Sequence, residues 1–225
     1  MPVLKLRYTH ILAVMVPVAV CLAAYFQPFV PPRLLFLDPL IAAMEVDACC
    51  KTYLGIVSTI GILLWVATAA VCVFAALMLH AQGANRRLWE FAAMAGLLTA
   101  WLALDDAFLV HENIAPKLGI PQTAVLLFIA VFAMAYVAKC WRVIVSLDAA
   151  MFGLAVGFLA ASVGIDVVHV STSDLHFLAE DGAKFAGIVC WSCFHLSAMK
   201  RLCDPREQAV TQDALYSGQA VLAGR

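Results

Sequence analysis

The sequence predicts an all-α polytopic membrane protein, a six-transmembrane-helix bundle with both termini in the cytoplasm. Three observations carry this. The 225 residues are 64% hydrophobic and only 13% charged, with a mean hydropathy of +0.95, more apolar surface than a soluble domain of this size can bury. Several apolar runs reach the ~20 residues a helix needs to cross the hydrocarbon core. Basic residues gather on alternate connections, the pattern that orients spans in a membrane. The formal charge of −1 gives no whole-chain reason to expect a nucleic-acid partner.

Lys5 and Arg7 precede a first span over 11–25. This start has the form of a signal sequence without a small-x-small cleavage site, and Val18-Ala-Val-Cys21 has valine where a lipobox needs a small residue. An uncleaved signal anchor is expected. A long connection leads to the second span, 53–80, and Arg86 and Arg87 separate it from the third, 88–110. The fourth, 123–143, ends in Lys139 and Arg142. The fifth covers 149–170, and the sixth, 175–199, is followed by Lys200, Arg201 and Arg206. Each must be helical, because lipid offers no water to satisfy backbone groups. Short connections after the second span predict antiparallel neighbours in one bundle. All four basic groups fall on one side, against Arg33, Lys51 and Lys117 on the other, which assigns both termini to the cytoplasm of a bacterial inner membrane. Residues 1–203 are expected to form a single transmembrane domain and 204–225 a flexible tail.

Topology sorts the polar residues. Asp105, Asp106, His111 and Glu112 fall in the outer part of span three, Asp166 and His169 in that of span five. His176, Glu180, Asp181 and Lys184 open span six from the same side, and Glu45 and Asp47 precede span two. An intramembrane carboxylate is costly unless paired, hydrated or metal-bound, so such residues mark function by default. On a continuous helix Asp105 and Glu112 lie only ~20° out of alignment and ~10 Å apart, lining one face of a cavity. Asp106 is turned ~100° away, toward a neighbouring helix or a structural role. Asp166 and His169, three apart, face the same way and could ligate one metal, or the aspartate could orient the imidazole. His176, Glu180 and Lys184 form an i, i+4, i+8 stripe with a Glu180–Lys184 ion pair available, and Ser173 or Asp174 would cap that helix.

Carboxylates with imidazoles suit a divalent metal, zinc or similar. The metal ligands expected are Asp105, His111, Asp166 and His169, with Glu112 or Glu180 as the catalytic general base and Asp106, Asp181, Lys184 and His176 in supporting roles. The substrate would be a lipid or small molecule entering from the outer leaflet. The leading function on this reading is a metal-dependent hydrolase or transferase acting on a lipid-like substrate. No His-Glu-x-x-His string is present. An ion- or proton-coupled transporter is the competitor, since buried acid and histidine chains serve as proton relays. Against it, the inner half offers mainly His195, Ser192 and Ser197, and no repeat is evident. A non-catalytic binding or assembly subunit is the third reading.

The string Leu104-Asp-Asp-x4-His-Glu112, the acidic pair at Glu180-Asp181 and the acidic stretch before span two resemble a group of uncharacterised bacterial multispanning proteins with a Leu-Asp-Glu-x4-His-Glu string and a later Glu-Glu pair. The resemblance covers spans two to six and implies a shared site at Asp105, Asp106, His111, Glu112, Glu180 and Asp181. A vaguer similarity links the chain to the membrane hydrolase superfamily of the alkaline ceramidases, which implies a His/Asp zinc site in a helical bundle. That superfamily's serine and paired-histidine pattern is not reproduced here.

Eight cysteines are present. Cys21, Cys72, Cys140 and Cys203 suit small apolar roles. Cys49-Cys50 and Cys190-Trp-Ser-Cys193 are the inventory of a quinone-linked disulfide-forming protein, although Cys190 is deep and adjacent cysteines rarely bridge. A haem held by His80 and His195, and a Lys184 Schiff base with Asp105 or Asp106 as counter-ion, are further alternatives.

Overall fold

The computed structural model describes residues 8–45, 51–168 and 173–211, and these are helical with no strand among them. In chain order the helices are α1 (Tyr8–Phe26), α2 (Arg33–Phe36), α3 (Pro39–Glu45), α4 (Ile56–Ala81), α5 (Arg86–Phe108), a π-helical turn (Val110–Ile114), α6 (Ala115–Lys117), α7 (Gln122–Val168) and α8 (Asp174–Cys203). Four of them, α1, α4, α5 and α7, are long and apolar enough to cross a membrane. Their outward faces carry Leu63, Val66, Phe74 and Leu77 on α4 and Leu127, Val131 and Met134 on α7, the apolar surface that lipid rather than water favours. The 30-residue α8 carries Glu180, Asp181, Lys184, Lys200 and Arg201 and falls outside that group.

The apolar stretch of α7, 45 residues long, would measure ~68 Å as a straight helix, about twice the hydrocarbon thickness. It is interrupted at Asp148, whose φ of −157° and ψ of 81° are not helical. Expected spans four and five are therefore joined by a single-residue break rather than a loop. Ile144-Val-Ser-Leu147 contains no glycine or proline to end the helix earlier. Beside the break, Arg201 Nη1 donates to the Leu147 carbonyl at 3.1 Å.

The described chain divides into two compact units. The first takes residues up to Leu64 and from Ala150 to Cys193. Cys21, Phe36, Val57 and Phe185 form its buried cluster, with Tyr25, Leu64, Leu178 and Val189 against it. Gly55 (φ +62°) lets the chain enter α4 where a Cβ would lie 2.7 Å from the Leu37 carbonyl oxygen. The Arg33 guanidinium sits 5.2 Å from the Phe177 ring centre.

The second unit runs from Trp65 to Ala149 and from Phe194 onward. Trp65, Leu79, Leu88, Phe91, Leu98, Tyr136, Ile144 and Phe194 are buried in it. Asn85 caps α5, its Oδ1 accepting from the Arg87 N–H at 2.9 Å. At Gly96, α4 approaches so closely that a Cβ would lie 3.0 Å from the Val73 backbone nitrogen and 2.8 Å from its Cγ2, the small-residue contact common between membrane helices. After α8 the chain is helical again over 205–211. Thr211 is buried there and Arg201 reaches Glu207 at 3.4 Å.

Candidate functional site at a helix break

The α5 helix should run to Val110 on apolar pattern alone, but it stops at Phe108. Leu109 takes a left-handed conformation (φ 51°, ψ 48°), which costs a non-glycine residue ~1–2 kcal/mol. Its burial holds it there. The next residues form the π turn, in which Ala115 N–H bonds the Val110 carbonyl and Ile114 N–H bonds that of Leu109. Pro116 gives the local reason: in a continuous α-helix its ring would meet the carbonyl four residues back, that of Glu112. Widening the preceding turn relieves that clash. Turns of this kind occur frequently at functional sites.

The break changes how Asp105 meets its neighbours. The expectation that Asp105 and Glu112 align on one helix face is replaced by a bridge through His111. One Asp105 carboxylate oxygen accepts from the His111 backbone N–H at 3.0 Å, and the other lies 2.6 Å from His111 Nδ1. His111 Nε2 is 3.4 Å from Glu112 Oε1. Exposure rises along this row, from 6% for the Asp105 side chain through 18% for His111 to 41% for Glu112. The hydrogen bond to Asp105 first, and that to Glu112 second, push the imidazole up from 6.5 to about 10, against the opposing effect of burial. Its two carboxylate neighbours thus hold the proton on the imidazole more tightly than a free histidine would.

Asp106 points elsewhere: its Oδ2 accepts from Trp65 Nε1 on α4 at 3.0 Å. Trp65 belongs to the site's support, and an indole mid-helix 41 positions upstream gives no sequence signal of this. Deeper in the same unit the fully buried His195 has its Nε2 2.8 Å from the Tyr136 hydroxyl, with Phe91 stacked on both rings. His80, the expected haem partner of His195, instead packs edge-on against Trp89.

Other expected site residues belong to the chain's first unit. Asp166 is exposed on α7. His169, Asp47, Cys49 and Cys50 lie outside the described residues, so the pairing of Asp166 with His169 does too. At the start of α8 Ser173 caps, its Oγ accepting from the His176 N–H at 3.4 Å. Glu180 pairs with His176, Oε2 to Nε2, at 3.3 Å. Asp181 and Lys184 are half-buried. Among the described residues, no three His, Cys, Asp or Glu side chains converge as a metal centre would require. Cys190 is buried and its thiol contacts the Ala13 carbonyl at 3.7 Å, and both it and Cys193 are free thiols.

A family model described as a domain of unknown function (DUF8692) matches residues 11–198. No curated protein and no solved structure matches the chain.

Proposed function

The chain belongs to the DUF8692 family, and we propose that it is a multi-pass membrane protein that exchanges protons through Glu112, His111 and Asp105, as part of an ion- or proton-coupled transporter. One observation supports this above others: an imidazole holds both nitrogens against carboxylates of opposite exposure, Asp105 inside and Glu112 outside. Glu112 can trade a proton with water, His111 can pass it on by ring-nitrogen exchange, and Asp105 can receive it away from solvent. The buried His195–Tyr136 pair offers a second protonatable group in the same unit, against Phe91, which the helix rise puts ~20 Å from Asp105 toward the start of α5. The reading takes α1, α4, α5, the two halves of α7 and α8 as six crossings of a bacterial inner membrane. The basic connections and both termini then face the cytoplasm.

The test is proton flux into liposomes carrying the purified chain, read by an entrapped pH dye under an imposed gradient. Glu112→Gln and His111→Gln should each lower the flux about a hundredfold, the scale of a lost acid–base group. Wild-type flux no faster than that of protein-free liposomes sinks the reading.

A second reading, the metal-dependent hydrolase or transferase acting on a lipid-like substrate, is favoured by one distance. His111 Nε2 and Glu112 Oε1 stand 3.4 Å apart, close to the ~3.3 Å between two ligand atoms of tetrahedral zinc. Asp105 behind Nδ1 would then orient the imidazole, as carboxylates do behind metal-bound histidines. Zinc binding measured by calorimetry on the purified chain, lost in Glu112→Gln, would support it; no binding by the wild type would end it.

A further inference from the structure

At the opposite end of the second unit from Asp105, a cavity of about 510 Å³ opens between the first turn of α5 and the middle of α7. Arg87, Lys139 and Arg142 line it together with Glu90, Cys140 and Trp141. The volume is that of a small-molecule site. Its charge is arranged rather than scattered. The Glu90 carboxylate is bound from two sides, by Arg86 Nε at 2.7 Å and Lys139 Nζ at 3.2 Å, and is only 15% exposed. The one acid in the lining is thereby neutralised, and it fixes Lys139 on the rim. Arg87 and Arg142 add two positive charges from different helices. Orienting the chain in a membrane requires only that such residues lie on one side. It does not require that they surround one cavity.

We propose that this cavity binds the phosphate of an anionic phospholipid headgroup. Two arginines from separate helices present the planar donor forks that match phosphate oxygens. The first turn of α5 also directs its positive dipole end toward this level. The remaining lining suits the rest of a lipid: Ala138, Cys140 and Val143 are apolar, and Trp141, 54% exposed, has the amphipathic ring that settles at headgroup depth. The basic-residue pattern assigns this end to the cytoplasmic leaflet, where basic pockets between membrane helices hold anionic headgroups. A soluble phosphate compound shares the charge but would make no use of the apolar lining.

The test uses the full-length chain in phosphatidylcholine nanodiscs, with phosphatidylglycerol added as the probe. Trp141 fluorescence is isolated by subtracting the Trp141→Phe signal, since the chain has four other tryptophans. Phosphatidylglycerol should shift the Trp141 emission with saturation, whereas phosphatidylcholine alone and soluble glycerol phosphate should not. Arg87→Gln with Arg142→Gln should weaken the response roughly thirtyfold, about a decade and a half for two interfacial charges. Both arginines are exposed, and circular dichroism of the double variant checks that the helices persist. If they do not, the charge-conserving Arg87→Lys with Arg142→Lys pair takes its place, and the loss of bidentate bonding alone must weaken the response. An equal response in the variants, or one given by glycerol phosphate or phosphatidylcholine, overturns the proposal.

Discussion

His111 is the residue on which the site turns, and its protonation ties stability to pH. Folding raises its pKa from 6.5 to about 10, so the folded state binds the proton more tightly than the unfolded chain. That stabilisation is fully present below pH 6.5 and is lost as pH rises through about 10. The melting temperature of the purified chain should therefore fall across that window, and His111→Gln should flatten the fall. Asp105→Asn removes the largest cause of the shift and should return the imidazole toward 6.5, read from histidine ring resonances by NMR. The cluster Asp105, Asp106, His111 and Glu112 was legible in the sequence because charge inside an apolar stretch has few innocent explanations. Its internal wiring was not. His111 lies six positions after Asp105, a spacing that does not stack on an α-helix, and only the break after Phe108 brings the ring back to the carboxylate.

At the scale of elements, helices meet where side chains are small. Gly96 faces the Val73 backbone of α4 with no room for a Cβ. Gly96→Val should destabilise the chain by about 1–3 kcal/mol, the usual cost of overpacking, measured by thermal unfolding in detergent. Helix positions were readable from hydropathy: expected spans at 53–80 and 88–110 correspond to α4 at Ile56–Ala81 and α5 at Arg86–Phe108. The joint inside α7 was less readable, because Asp148 breaks the helix without glycine or proline. Its signal lies fifty-three residues downstream, in the Arg201 side chain that satisfies the Leu147 carbonyl. The left-handed Leu109 was equally hidden. Leucine is a poor choice for that conformation, and Pro116 was the only local hint.

For the whole molecule, composition decides the class and leaves orientation to experiment. Four helices are apolar enough to span, and six crossings follow only if α7 passes twice and α8 once. In a cysteine-free background, Gly83→Cys and Lys117→Cys should react with an impermeant maleimide from opposite sides of the membrane. Labelling from the same side would rule out α5 as a crossing between them. The apolar exterior, with residues such as Phe74, Leu77 and Leu127 facing outward, is what made this level the most legible. Each such residue votes the same way, so no single one has to be interpreted. Sites depend instead on a few contacts distant in sequence, such as Trp65 with Asp106 and Tyr136 with His195.

The widened turn at Val110–Ile114 holds one residue more than an α-helical turn would. Chain length, as much as chemistry, therefore keeps the imidazole between its two acids. Deleting Val110 removes no ionisable group, yet closing the turn would swing every later side chain by ~100° about the helix axis. Such a deletion should silence the proposed relay as completely as Glu112→Gln does, with the same flux assay as its measure. Two family members could then share all four ionisable residues and differ in function through a one-residue gap.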